Sequence, residues 1–323
     1  MTRAGVGPDG MRWLVLATMA SWGLNLPVMK LLLPVFGTLS TSALRLLVAT
    51  ALLTAVGWFS HRAWPRLTAR QWLALLLCGA VMVYANQIFL MQGMRRTSAT
   101  HTALIIALNP LLASLLAAVL LKVRLRGSRL LGVLLGFGGV ALVIGHQSSQ
   151  GTGSSVLGDS LVLGAVVTWV IGGVMVQRLA GPGLAASPDA GPAGAAVGID
   201  SGTVTWAVNL VGAALLTLHL LIDGGPWVLP GVQVSAGVIG MLLLSGVVAT
   251  ALGALVWNHA LATLGIAHVS LYVYWVPIFG VAFSVLLLGE PLTRWHLIGL
   301  AAVLAGTWLG TRGAVRPNVP AGE

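Results

Sequence analysis

Charge is what this sequence has least of: only 7% of its 323 residues are Asp, Glu, Lys or Arg, against about a quarter in a soluble globular protein. So few charges cannot cover a water-facing surface, which excludes a soluble fold. Acid is scarcer still. None of the seven acidic residues, Asp9, Asp159, Asp189, Asp200, Asp223, Glu290 and Glu323, stands in the middle of an apolar run, so the Asp/Glu relay used by many proton-driven pumps has no material there. The one cysteine, Cys78, lies in an apolar run beside Gly79; without a partner for an intramolecular disulfide it reads as a small buried hydrophobe. Also missing are a His-Glu-x-x-His metal pair and a Gly-x-Ser-x-Gly nucleophile turn. No catalytic residue, metal or cofactor is implied, and an integral membrane enzyme is the weaker reading.

Apolar residues are present in abundance, at 57% of the chain. They form runs long enough to cross a bilayer, about 20 residues each, at 12–33, 39–59, 70–92, 98–121 and 129–146, then 157–179, 202–222, 235–258, 265–288 and 295–312. The fold class is an all-α polytopic membrane protein with ten transmembrane helices. The net charge of +10 sits in the connectors, where Lys and Arg contact lipid headgroups, so no nucleic-acid partner follows. Retention of Lys and Arg on the cytoplasmic side puts both termini inside: that orientation places Arg3, Arg12, Arg62, Arg66, Arg70, Lys122, Arg124, Arg126, Arg129, Arg178, Arg312 and Arg316 in the cytoplasm and leaves Lys30, Arg95, Arg96 and Arg294 outside. The first run continues past Pro27 without a small-residue cleavage site and reads as a retained span.

The chain repeats itself. Leu75-Leu76-Leu77-Cys78-Gly79-Ala80-Val81 matches Leu242-Leu243-Leu244-Ser245-Gly246-Val247-Val248, and the same offset pairs His101 with His268, Pro110 with Pro277, Gly132 with Gly299 and Gly139 with Gly306. Ser21-Trp22 matches Thr168-Trp169 at a smaller offset, the difference being a Gly/Pro/Ala-rich insertion near 181–200, read as a flexible cytoplasmic linker. The expected organisation is a first five-helix repeat over 11–148, a connector at 149–156, a second repeat over 157–312 with a loop at 180–201, and a tail at 313–323. Five is odd, so the second copy lies upside down relative to the first. The basic connector Lys122-Val123-Arg124-Leu125-Arg126 and its uncharged-to-acidic counterpart Gly289-Glu290-Pro291-Leu292-Thr293 agree with that inversion. Inverted repeats of this kind recur in secondary transporters, with substrate bound near the midplane where the copies meet.

The segment Trp22-Gly23-Leu24-Asn25-Leu26-Pro27-Val28-Met29-Lys30 closely resembles the first-span signature of the drug/metabolite transporter superfamily, EamA type. Arg45 in span 2, Asn109-Pro110 in span 4, Pro277 in span 9 and Gly289-Glu290-Pro291-Leu292-Thr293 before a Gly-rich last span fall in matching places, over residues 11 to 312. The first half departs from the pattern by having Lys122-Val123 where the second has Gly289-Glu290. The resemblance implies a ten-helix, two-repeat carrier of the bacterial inner membrane, commonly an exporter of amino acids or related metabolites. It does not choose among substrates, because the superfamily also carries sugars, nucleotide sugars, cations and drugs. A lipid or lipid-linked-sugar flippase shares the architecture.

Transport requires polar groups inside hydrocarbon, and these are the candidates for substrate contact. Arg45 lies about two turns into span 2 with no acidic residue mid-span to pair with it, so a substrate carboxylate is an attractive partner; the alternative is snorkelling to the membrane surface. Trp22 and Trp169 have equivalent depths and, paired by the repeat, offer aromatic walls, to which Tyr84, Tyr272, Tyr274 and Trp275 add. Asn25, Asn86, Gln87, Gln92, Asn109 and Asn258 need partners inside the bundle; Tyr84, Asn86 and Gln87 point in different directions on a helix and cannot share one cavity. His101 and His268 are read as imidazoles without acidic neighbours, as proton carriers or as neutral hydrogen-bonding groups. Pro27, Pro110 and Pro277 are expected to interrupt their helices and release the carbonyls of Gly23, Ile106 and Val273. The partners expected are a small-molecule metabolite and membrane lipids, with a homo-oligomer left open.

Overall fold

The computed structural model describes residues 8–59, 67–120, 127–147, 155–179, 199–264 and 272–311. These are helical: α1 (Pro8–Phe59), α2 (Ala69–Gly79), α3 (Asn86–Met94), α4 (Ala99–Ile106), α5 (Asn109–Leu120), α6 (Gly127–Gln147), α7 (Val156–Leu179), α8 (Ser201–Asp223), α9 (Ala236–Leu243), α10 (Gly253–Leu264), α11 (Trp275–Leu288) and α12 (Arg294–Thr311). Two widened turns continue these helices, π1 (Ala80–Ala85) between α2 and α3 and π2 (Leu244–Leu252) between α9 and α10. Five helical stretches among the described residues are long and apolar enough to cross a membrane. Large apolar side chains such as Ile222, Leu286, Leu134 and Leu73 stand exposed; spread over so many helices, they form a lipid-facing exterior of a polytopic membrane protein.

α1 contains 52 residues, which as a straight helix would measure about 78 Å at 1.5 Å per residue, more than twice the hydrocarbon thickness of about 30 Å. Gly37 resolves this. Its backbone adopts φ 74° and ψ −177°, a region essentially reserved for glycine, and the helix folds back on itself. Asn25 on the first arm and Arg45 on the second consequently reach the same Ser245. Pro27 and Pro34 lie inside the first arm, and the helix passes through both, so the break expected at Pro27 occurs at Gly37 instead. Pro110 does interrupt its helix: α4 stops at Ile106 and α5 starts at Asn109. Pro277 falls in the first turn of α11, where a missing amide hydrogen costs nothing.

The glycines of α6 and α12 show how the repeats meet. A Cβ built on Gly139 would sit 2.9 Å from the Gly299 carbonyl oxygen, and one on Gly306 would sit 2.5 Å from the Gly132 carbonyl oxygen. Only hydrogen fits at such backbone separations. The pairing 139 with 299 and 132 with 306 runs in opposite directions along the two helices, so they are antiparallel. Exchanging each residue for its repeat counterpart turns one contact into the other. The interface is therefore self-complementary about an axis lying across the helices, the relation that inverted repeats have. The widened turns obey the same relation: π1 maps by the repeat onto 247–252, inside π2.

One end of the bundle is closed by hydrogen bonds between connectors. Leu229 N–H donates to Val35 O at 2.8 Å and Ser40 Oγ to Pro226 O at 2.8 Å. Ser155 N–H donates to Arg96 O at 2.9 Å, and Lys30 Nζ donates to the carbonyls of Met94 and Thr97 at the end of α3. The Glu290 carboxylate accepts from the first two amides of α4, Ala99 at 2.7 Å and Thr100 at 2.8 Å, where a negative charge is favoured by the helix dipole.

Candidate functional site

Arg45 is the most unusual side chain in the interior. It does not snorkel: it is 4% exposed. Its Nε donates to Ser245 Oγ, one terminal nitrogen to Gln87 Oε1 at 3.1 Å and the other to Thr250 Oγ1 at 3.3 Å. Ser245, wholly buried, donates its hydroxyl hydrogen bond to Asn25 Oδ1. Gln87 Nε2 donates to Asn86 Oδ1 at 3.2 Å, and Asn86 Nδ2 to Ala165 O at 2.7 Å. Four elements thus converge: both arms of α1, the start of α3, and π2, with α7 behind. Among the described residues every hydrogen-bond partner of the guanidinium is neutral; Arg12 pairs with Asp9, and His101 faces Asp159. A guanidinium has five N–H donors, of which three are engaged by the described residues. Taking such a charge out of water costs several kcal/mol that neutral dipoles only partly offset.

The widened turns shape this site. Each π-turn holds one residue more than an α-turn and re-aims the backbone, a feature frequent at functional sites. In π2 the Ser245 carbonyl takes the Thr250 hydroxyl at 2.8 Å, while the Ala249 carbonyl accepts from Trp22 Nε1 at 2.8 Å. Gly246 lets the backbones close: a Cβ there would lie 2.9 Å from the Arg45 carbonyl oxygen.

Trp22 is half-buried and stands three residues from Asn25, on the same face of α1. Its ring lies 5.6 Å from that of Trp257, and Tyr272 and Phe279 pack on the same apolar cluster. An apolar wall therefore adjoins the polar network. Trp169 does not join it. It is 42% exposed on α7 beside Val167 and Ile171, so the symmetric Trp22–Trp169 pairing is not realised; Trp22 is instead tied to π2 and Trp257. Tyr84 points away to His219 Nδ1 on α8, 3.0 Å from its hydroxyl. Tyr274 is half-buried just before α11. The three directions expected of Tyr84, Asn86 and Gln87 are seen, toward α8, α7 and Arg45 respectively. Among the candidates, Arg45 meets Gln87 directly and Asn25 through Ser245, with Trp22 and Tyr272 adjacent.

His101 lies elsewhere, at the closed end, and it has an acidic neighbour after all. Its Nδ1 is 3.2 and 3.3 Å from the two oxygens of Asp159, which is 3% exposed in the first turn of α7. The neighbour comes from 58 positions away in the chain, beyond the reach of local sequence reading. His268 is outside the described residues. Ser245, Thr250, Trp257, Asp159 and His296 were not singled out from sequence; the single available signal was Ser245, polar where the repeat has Cys78.

Comparison with known proteins is consistent over nearly the whole chain. Residues 11–145 and 156–312 match the EamA-like transporter family. "Uncharacterized transporter YyaM" of Bacillus subtilis (strain 168) is 26% identical, covering 87% of this chain and 86% of its own. The "Probable amino-acid metabolite efflux pump" of Salmonella typhimurium (strain LT2) is 27% identical, covering 93% and 94%. The "Probable terminal-alkyne amino-acid exporter" of Streptantibioticus cattleyicolor is 27% identical, covering 93% of each. A crystal structure of 18% identity superposes with a TM-score of 0.61 over 92% of this chain and 95% of the other, a likeness of fold.

Proposed function

The chain belongs to the EamA-like transporter family, and on that premise we propose that it exports a small carboxylate-bearing metabolite, an amino acid with an apolar or aromatic side chain, across a bacterial inner membrane. The observation that carries this reading is Arg45, buried and opposed only by neutral acceptors. A substrate carboxylate supplies the missing counter-charge by charge-assisted, bidentate hydrogen bonds. Asn25 and Gln87 are placed to hold the polar end further, and the Trp22, Trp257 and Tyr272 wall suits the side chain by area burial and ring contact. Relatives described as amino-acid exporters support the substrate class.

Access alternates from one side of the membrane to the other as the inverted halves rock about this site, five helices in each. The closed end, with Lys30 and Glu290, is the outer one, and both termini are cytoplasmic, in keeping with the distribution of Lys and Arg. No intramembrane carboxylate touches Arg45 among the described residues, so the guanidinium is free to exchange neutral partners for substrate at little cost. The test is counterflow: purified protein in liposomes loaded with unlabelled phenylalanine, leucine, lysine or glutamate, with the same labelled compound added outside. Labelled phenylalanine and leucine are expected to enter transiently above equilibrium. Failure of every amino acid to exchange in liposomes holding folded protein overturns the reading.

A further inference from the structure

At the closed end the Asp159 carboxylate, the two imidazoles of His101 and His296, and the hydroxyl of Thr97 form a second buried polar centre. Exposure is 3% for Asp159, 1% for His101, 2% for His296 and 1% for Thr97. Asp159 Oδ1 accepts from Thr97 Oγ and faces His101 Nδ1. A carboxylate only accepts, so Nδ1 of His101 carries the hydrogen and Nε2 is a bare lone pair. In His296 the roles are reversed. Its Nδ1 accepts the Thr293 backbone N–H at 3.0 Å, so a neutral ring holds its hydrogen on Nε2. Both Nε2 atoms are buried without a hydrogen-bond partner among the described residues. The two rings meet near edge-on, 67° between planes and 5.7 Å between centroids.

We propose that this centre binds the coupling proton: His101 Nε2 takes it up, and the resulting imidazolium changes the packing of α4 against α12 at the closed end. This rests on the carrier reading and adds its energy source. With both rings neutral, the buried centre has a net charge of −1 from Asp159. One proton on His101 makes an imidazolium–carboxylate pair of zero net charge. Both Nε2 atoms are then donors, so the rings repel, and α4 and α12 carry one each. Orphaned buried donors and acceptors are rare in folded proteins, and each calls for an account.

The surrounding charges have partners of their own, and of them Glu290 lies close enough to act electrostatically on His296. Glu290 is engaged with the amides of Ala99 and Thr100, and Lys30 on α1 with the carbonyls of Met94 and Thr97. Arg96 bonds Gln92, Arg294 lies over the Trp295 ring at 5.3 Å, and the His146 ring on α6 lies tilted against Trp295 with centroids 4.1 Å apart. α11 offers no titratable group.

The test has two arms on the same variants, Asp159→Asn and His296→Gln. In liposomes, wild-type protein is expected to accumulate labelled phenylalanine under an imposed pH gradient, while each variant keeps gradient-free counterflow and loses gradient-driven accumulation by at least tenfold. Nitrogen-15 histidine spectra in nanodiscs need no substrate: between pH 5 and 8 the His101 and His296 signals are expected to titrate together in the wild type and independently in Asp159→Asn. Gradient-driven accumulation unchanged in both variants, or imidazole signals in the wild type that do not respond to pH, overturns the proposal. Counterflow absent from the wild type instead indicts the amino-acid reading, and the spectra still decide the proton site.

Discussion

Replacing Ser245 by Ala removes one hydroxyl and orphans two groups at once, the buried Nε–H of Arg45 and the half-buried side-chain oxygen of Asn25. Hydrogen bonds between helices within bilayers average about 0.6 kcal/mol and reach about 1.7, while those to charged groups elsewhere in proteins run to about 1.5–3 kcal/mol. The Arg45 half of the relay belongs near about 1.5–2 kcal/mol and the Asn25 half near about 0.6, so Ser245→Ala is expected to lose about 2–2.5 kcal/mol. In an Arg45→Met background the hydroxyl has no guanidinium to satisfy, and the loss falls to about 0.6 kcal/mol, a coupling of about 1.5–2 kcal/mol. Arg45→Met alone is expected to be neutral or stabilising, since it removes a buried charge that neutral dipoles poorly offset. Reversible unfolding of the four proteins in mixed micelles, titrated with SDS and followed by tryptophan fluorescence, measures each term. Additivity, with a coupling below about 0.5 kcal/mol, would refute the idea that Ser245 holds the guanidinium.

Three further outcomes follow from the backbone geometry. Gly306→Ala forces a methyl to 2.5 Å from the Gly132 carbonyl oxygen and is expected to cost about 1–3 kcal/mol by overpacking; Gly138→Ala, with no neighbour within 4 Å, serves as the matched control and is expected to be neutral or slightly stabilising. Gly37→Ala, at φ 74°, is expected to lose about 1–3 kcal/mol through backbone strain, read in the same SDS titration. Glu290→Gln removes the negative charge from the start of α4, an expected loss of about 0.3–2 kcal/mol that high salt reduces in the wild type toward the variant.

The membrane class was legible because hydrophobic length is a local property: each run reads without reference to its neighbours, and five of the described helical stretches are long and apolar enough to cross a membrane. The internal repeat was legible too, and its glycines meet across α6 and α12 in symmetry-related contacts, 132 with 306 and 139 with 299. Arg45, Asn25 and Gln87 stood out because polar groups are rare in hydrocarbon. What could not be read was which of them touch. Asp159 and His101 belong to different helices, as do Arg45 and Ser245, and no local pattern announces such a contact. The widened turns at 80–85 and 244–252 were invisible for the same reason: they contain ordinary helix-forming residues, and tertiary packing selects the wider turn. Pro27 misled, because a proline in a membrane helix is tolerated when neighbouring groups satisfy the freed carbonyl, whereas the actual reversal needed the φ that only glycine adopts cheaply.

The most direct measurement is the ratio of counterflow inhibition by an amino acid to that by its carboxamide, taken on wild-type, Arg45→Lys and Arg45→Gln liposomes side by side. The wild type is expected to prefer the acid roughly tenfold to a hundredfold, since a charge-assisted hydrogen bond is worth about 1.5–3 kcal/mol and each decade about 1.4. Lysine keeps the charge without the planar fork and should retain part of that preference, while glutamine should bring the ratio to about one. A wild-type ratio of about one, or an acid preference that survives Arg45→Gln intact, contradicts the assignment of Arg45 to a substrate carboxylate.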